Sequence, residues 1–357
     1  MMNAKSKRFS GLGQLIIPLV ALGILLVFNL IRDPGFFAIR IAENNMGGKV
    51  LTGNLISIID SASALAIISM GMTLVTAACG GQDISVGAVG AISGAVFVKI
   101  LQAFGGINGG SFIVALLVAC LATICFKLFN GTLVAVFNIQ PMIATLILYS
   151  CGRSIAYWIN GDATPQLSSP ILTAIGMTIP GIPIPTPIFC VVLVGLLLFL
   201  VFKFTNIGLY TQSVGINQGA ARLNGINPVA VKLLSFVLLG VCVTVAALIG
   251  ISRLGQLNHK TLLVDIEMDA ILAVAIGGNS LGGGKFKISG SILGAYIIQM
   301  LTTTLYAMSV SPVNVKAYKA IVIIIIVVAG SPVVKEKISS LWKKLRASSA
   351  AARKEVG

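Results

Sequence analysis

Gln82, Asp83 and Ser85 put a carboxamide, a carboxylate and a hydroxyl within the short segment GGQDISVG. Such a cluster offers donors and acceptors to a polyhydroxylated neutral solute, or it holds a structural hinge at a helix break. Asp60 and Asp269 stand near the starts of apolar runs, where helix capping and a place on a solute pathway are both open readings. Asn279, inside the glycine-rich GGNSLGGGK, completes the candidate pathway set. Lys127 and Arg153 fall near the ends of apolar runs, where snorkelling toward the interface accounts for them.

The chemistry these residues do not support narrows the function. GGNSLGGGK fails as a phosphate loop: Asn279 stands five residues before Gly284 where glycine is required, and Phe286 follows Lys285 where Ser or Thr would bind magnesium. No other segment fits, so no catalytic residue and no cofactor are assigned to this chain. Any ATP and Mg would be bound by a partner subunit. The six cysteines, Cys79, Cys120, Cys125, Cys151, Cys190 and Cys242, lie in or beside apolar runs without a CxxC pair or a nearby histidine. They read as small packing residues, with no metal site. A gradient-driven carrier would need ionisable relays inside the membrane; few are available, and the single histidine, His259, falls in a loop.

Composition dictates the frame that must position these groups. With 57% hydrophobic and 10% charged residues and a mean hydropathy of +1.01, the chain lies outside the range of soluble domains and is a polytopic membrane protein. A hydrocarbon core of about 30 Å takes roughly 20 apolar helical residues, so the expected fold is all-α, about ten transmembrane helices with short broken ones among them. The approximate spans are 12–31, 55–78, 86–104, 111–136, 140–159, 187–204, 230–252, 266–281, 288–308 and 317–332. The basic start and the run from Leu15 to Ile31 mimic a signal peptide. The run is long for one and lacks a small-x-small cleavage site, so it reads as a retained first span.

The net charge of +15 would suit a nucleic-acid partner in a soluble protein. Here it follows loops and tails, so no nucleic acid is expected and lipid is the surrounding partner. Lys5, Lys7, Arg8, Lys203, Arg222, Lys232, Lys285, Lys287 and the seven basic residues from Lys335 to Lys354 fall on one side; Arg32, Arg40, Lys49, Arg253, Lys260, Lys316 and Lys319 fall on the other. That bias puts both termini in the cytoplasm. Residues 1–334 read as one transmembrane domain and 335–357 as a basic cytoplasmic tail forming a short surface helix. Residues 160–187 carry six of the twelve prolines and read as an ordered external loop without a helix.

Two longer patterns remain. Residues 80–95 are echoed by 277–295: each has a Gly-Gly pair, a polar break and then a GxxxG pair, Gly90 with Gly94 and Gly290 with Gly294. Small residues at this spacing let helices approach closely, and paired breaks mark pathways in transporters. The other pattern is GLYTQSVGINQGAARLNGINP over 208–228, a polar interruption with Gly215 and Asn217 at a turn and N-cap, a short helix over Gln218 to Leu223, and a stop at Asn224 and Gly225. Its small face and Arg222 suit a groove on a cytoplasmic partner.

The strings GMTLVTAACGGQDISVGAVGAISGA, FNGTLVAVFNIQPMIATLILYSCGR, GLYTQSVGINQGAARLNGIN and MDAILAVAIGGNSLGGGKF resemble, in order along nearly the whole chain, the inner-membrane permeases of bacterial ABC sugar importers of the ribose/galactose type. The galactofuranose-type permeases are the most similar within that group. One departure touches the solute: the first break commonly reads GGIDLSVG, and Gln82 replaces an apolar residue here. The resemblance implies a homodimer or heterodimer of permease subunits in the inner membrane, an ABC ATPase below and a periplasmic or lipid-anchored solute-binding protein above. The family's coupling helix falls on Gly215 to Gly225, with Asn217, Ala220, Ala221 and Arg222 as ATPase contacts. The implied mechanism is alternating access driven by the partner's ATP cycle. A gradient-driven carrier or channel for a small neutral solute is the alternative, as is the same machine importing a nucleoside or a signalling furanose.

Overall fold

The computed structural model describes residues 4–43, 49–167, 169–179 and 181–330. In chain order the elements are α1 (Ala4–Arg32), β1 (Arg40–Glu43), β2 (Lys49–Thr52), α2 (Asn54–Cys79), α3 (Val86–Ala103), α4 (Gly109–Ala135), α5 (Pro141–Asn160), α6 (Pro170–Gly176), α7 (Thr186–Phe204), α8 (Ile207–Ile216), α9 (Gln218–Leu223), α10 (Pro228–Leu254), α11 (Ile266–Ile276), α12 (Ile288–Ala307) and α13 (Pro312–Gly330). Two compact units divide the chain, Met1–Thr304 and Leu305–Gly357. The expected tail helix over 335–357 lies outside the described residues.

The fold is mostly helical, and among the described residues seven helices, α2, α3, α4, α5, α7, α10 and α12, are long and apolar enough to cross a membrane. α2 is the axis of the first unit. Every residue from Ala62 to Ala78 is buried, as expected for a helix that is apolar all round. α10 packs along it so closely that a Cβ at Gly71 would stand 2.9 Å from the Leu239 Cα. α4, α5 and α7 instead expose Leu117, Leu121, Ile143, Ile147, Val192 and Leu196, the apolar faces that hydrocarbon can cover without cost. In the second unit α13 likewise exposes Ile321, Ile324 and Ile325.

Four expectations are corrected. The chain is not wholly helical: β1 and β2 form an antiparallel hairpin, Arg40 opposite Thr52 and Glu43 opposite Lys49. The Leu51 amide ties this hairpin to the Pro183 carbonyl at 2.9 Å. The proline-rich stretch is not free of helix, because Ser169 caps the N-terminus of α6 through a bond from the Ile171 amide and Pro170 takes the first helical position, where its missing N–H is harmless. The expected span 266–281 is the eleven-residue α11, about 16 Å long and short of the membrane core. Gly278, Gly283 and Gly284 take positive φ beyond it, which the helix cannot continue through. Lys232, counted among the basic residues on the cytoplasmic side, is buried in the protein near the start of α10.

Candidate functional site

The first glycine break is re-entrant. α2 ends at Gly80 in the left-handed conformation, φ 65°, and the chain turns back inward. The Asp83 amide lies 3.4 Å from the Met72 sulfur and the Ile84 amide 3.1 Å from the Thr145 hydroxyl, so α3 starts about two turns inside the end of α2. Asp83 is wholly buried there. Its Oδ1 accepts from the Ser85 amide at 2.8 Å and the Ser85 hydroxyl at 2.6 Å, and its Oδ2 accepts from the Lys127 ammonium at 2.7 Å. Lys127 also donates to the Ser85 hydroxyl at 3.0 Å, as does Asn130 at 2.9 Å.

Snorkelling is therefore the wrong account of Lys127, which is fully buried and joins α4 to the break. A charge at that depth is tolerable only when paired and hydrogen-bonded, and Asp83 with Ser85 meets both conditions. Asp83 and Ser85 turn their polar atoms toward the protein in this conformation. The sequence carries only the near half of this contact: Lys127 and Asn130, three apart, share a helix face in a run where no other charge is found, and nothing there names Asp83 as the partner.

The second break stacks on the first. A Cβ at Gly80 would approach the Gly282 carbonyl to 2.9 Å, and one at Gly283 would meet the Gly80 Cα at 3.0 Å. The Gly284 amide donates to the Ala77 carbonyl at 2.9 Å, supplying a partner for one of the carbonyls a helix end leaves open. Gln82 donates to the Leu281 carbonyl at 3.1 Å. Asn279 closes its own loop, donating to the Lys287 carbonyl at 3.1 Å and the Ser291 hydroxyl at 2.8 Å and accepting from the Lys287 amide at 2.6 Å. Ser291 in turn meets the Thr73 hydroxyl at 2.6 Å. The two GxxxG pairs do different work. Gly290 and Gly294 face the Gly277 and Ala273 carbonyls of the neighbouring segment, backbone on backbone, whereas Gly90 and Gly94 receive the side chains of Leu263 and Leu262.

Residues 208–228 dock onto this double break. Residues 207–216 are helical, where a turn around Gly215 was expected. A side chain at Gly215 would overlap the Ala77 carbonyl and approach the Gly284 amide to 2.6 Å, so glycine is required within a helix that lies against both breaks. α9 spans the residues whose capping signals mark it: the Asn217 side chain accepts from the Ala220 amide at 3.0 Å, and Gly225 turns the chain away at φ 76°. Ala221 is buried with Ala78, Val214 and Val231. Asn217, Ala220, Arg222 and Gly225 are exposed, and Leu223 is 92% exposed.

The opposite end is built by α2, α10 and the hairpin. After α10 the chain passes inward along α3, and Glu267, in the first turn of α11, is buried against Gly87. Irregular backbone at such depth needs donors and acceptors from the protein. Arg153 of α5 provides donors, reaching the His259 carbonyl at 2.7 Å and the Leu262 carbonyl at 3.1 Å, so its role too is internal. Asp269 is half-buried in the same first turn of α11, where a negative charge suits the helix dipole. Asp60 pairs with Arg253, Oδ1 to Nη2 at 2.7 Å, beside a cavity of about 420 Å³.

This architecture, apolar spans interrupted by paired re-entrant breaks that meet a polar helical loop, is that of a membrane transport permease. The chain belongs to the family described as "Branched-chain amino acid transport system / permease component", whose profile matches residues 54–329. It is 35% identical to the galactofuranose transporter permease protein YtfT of Escherichia coli K12, over 92% of each chain. It is 34% identical to the fructose import permease protein FruF of Bifidobacterium longum, over 94% of this chain and 92% of the relative. Identity to the ribose import permease protein RbsC of Escherichia coli K12 is 32%, over 87% and 91%. No solved structure matches. The protein is thus a multi-pass inner-membrane transport subunit of the ABC importer type, not an enzyme.

Proposed function

We propose that the chain is the permease through which an ABC importer admits a monosaccharide, pentose or hexose, with the furanose form included. The observation carrying this reading is the docking of residues 208–228 on both glycine breaks through Gly215, a route by which a push on an exposed short helix reaches the pathway helices. Full-length likeness to permeases named for galactofuranose, fructose and ribose supports the substrate class.

In this reading Asn217, Ala220 and Arg222 meet the ATPase, Gly215 and Gly225 shape the helix, and Ala221 anchors it. Gln82 and Asn279 hold the two breaks, Asp83 and Ser85 form the hinge, and Asp60 and Asp269 stand nearer the path. The seven long helices, with α1, α13 and the inward passage after α10 that the half-length α11 completes, make ten crossings, and the basic-residue bias then sets both termini in the cytoplasm. Residues 1–334 act as one permease domain, with 335–357 as its tail. A second permease subunit completes the path, the ATPase binds ATP and Mg, and a solute-binding protein delivers the sugar.

The test is uptake by proteoliposomes holding the complex with its ATPase and binding protein. Radiolabelled D-galactose, D-fructose or D-ribose should enter on ATP addition. Arg222→Glu should insert normally yet lower sugar-stimulated ATP hydrolysis about tenfold, the effect of losing a charge-assisted contact. Uptake driven by an ion gradient without ATP would overturn the proposal.

A further inference from the structure

We infer that the cavity beside Asp60 and Arg253 is a reception subsite for a neutral, ring-shaped polyol. This rests on the sugar-permease reading above and adds where the solute first meets the permease. Thr52, Asp60, Met177, Thr178, Pro185 and Arg253 line it, and its volume is about 420 Å³, inside the roughly 300–1,000 Å³ typical of small-molecule sites. It lies far from the breaks along the bundle: Asp60 is in the second turn of α2, whose far end is Gly80, and Arg253 is in the last turn of α10, which begins just after α9.

Its chemistry selects against charge. Arg253 Nη2 donates to Asp60 Oδ1 at 2.7 Å and to the Asp60 carbonyl at 2.5 Å, so the two charges cancel and the guanidinium is held in place. An amino-acid zwitterion would have to separate this pair to use both of its own charges. A hydroxyl does not, since it donates to a carboxylate and accepts from a guanidinium with the pair intact. Thr52 and Thr178 add hydroxyls, while Met177 and Pro185 offer apolar surface to the C–H faces of a sugar ring. The mixture of one neutral ion pair, two hydroxyls and an apolar wall matches a monosaccharide better than a branched aliphatic amino acid.

The test uses the reconstituted complex carrying Thr178→Cys, with alkylation at position 178 followed by mass spectrometry so that the native cysteines do not interfere. The sugar that the wild-type complex imports, among D-galactose, D-fructose and D-ribose, should slow alkylation at least about threefold at saturating concentration, and L-leucine should not. Asp60→Asn with Arg253→Gln, which removes both charges and keeps hydrogen-bonding groups, should raise the apparent KM about tenfold with a smaller change in kcat. Sugar uptake by wild type with no protection at position 178 would overturn the subsite alone. Protection by leucine would overturn its solute class. Failure of the wild type to import any of the three sugars would remove the parent reading and this one with it.

Discussion

A lysine that no water reaches sets the terms at the residue scale. Lys127 and Asp83 are both wholly buried and 2.7 Å apart. Removing one partner strands the other charge, which costs about 3–5 kcal/mol, whereas removing both is far milder. Lys127→Met should therefore lower the Tm of the detergent-solubilised protein sharply, and Asp83→Asn added to it should restore most of the loss. A Tm unchanged by the single substitution would mean that the pair is not formed. The Asp162–Lys260 pair, 2.6 Å apart with both side chains 63% exposed, gives the contrast. The Lys260 hydrogen bond and charge hold the Asp162 carboxyl below its usual range, so what the pair contributes is complete above the ordinary carboxylate pKa and fades as pH falls through the lowered one. Water screens it, and Asp162→Asn should leave the neutral-pH Tm where it was. Sequence alone could not reveal the buried pair, because its members are 44 residues apart and nothing local distinguishes a paired lysine from a snorkelling one.

At the element scale, what was legible followed from local rules. Asn217 as a cap, α9 over Gln218–Leu223 and the stop at Gly225 follow from residues within one turn of one another. The Gly-Gly breaks were legible for the same reason. The partners of the glycines were not, since a GxxxG pair names a close approach and not what approaches. Gly294 shows the difference: a Cβ there would overlap the Ala273 carbonyl, while one at Gly23 in α1 would meet nothing within 4 Å. Gly294→Ala should destabilise by about 1–3 kcal/mol or more through forced displacement of backbone. Gly23→Ala should be neutral or stabilising by a fraction of a kcal/mol, from helix propensity. Equal thermal stability of the two variants would contradict the packing described. The short α11 escaped the sequence reading because the expected span was carried through Gly277 to Leu281, where Gly278 takes a positive φ that ends the helix.

For the whole molecule, the two ends divide the labour. One gathers both breaks, Gly215 and the exposed tip of α9; the other gathers the hairpin, α6 and the Asp60–Arg253 cavity. α2 and α10 run between them in close contact, so displacement of one end is transmitted by rigid elements. The bond from the Gly284 amide to the Ala77 carbonyl has a further consequence for how the chain is made. Synthesis runs from the N-terminus, and earlier parts fold first. When α11 leaves the ribosome, the Leu262 and Leu263 sockets at Gly94 and Gly90 and the seat formed by Ala77, Gly80 and Ile216 are already synthesised. A helix too short to insert by itself thus arrives at a finished receptacle, and the last-made half of the chain takes its shape from the first.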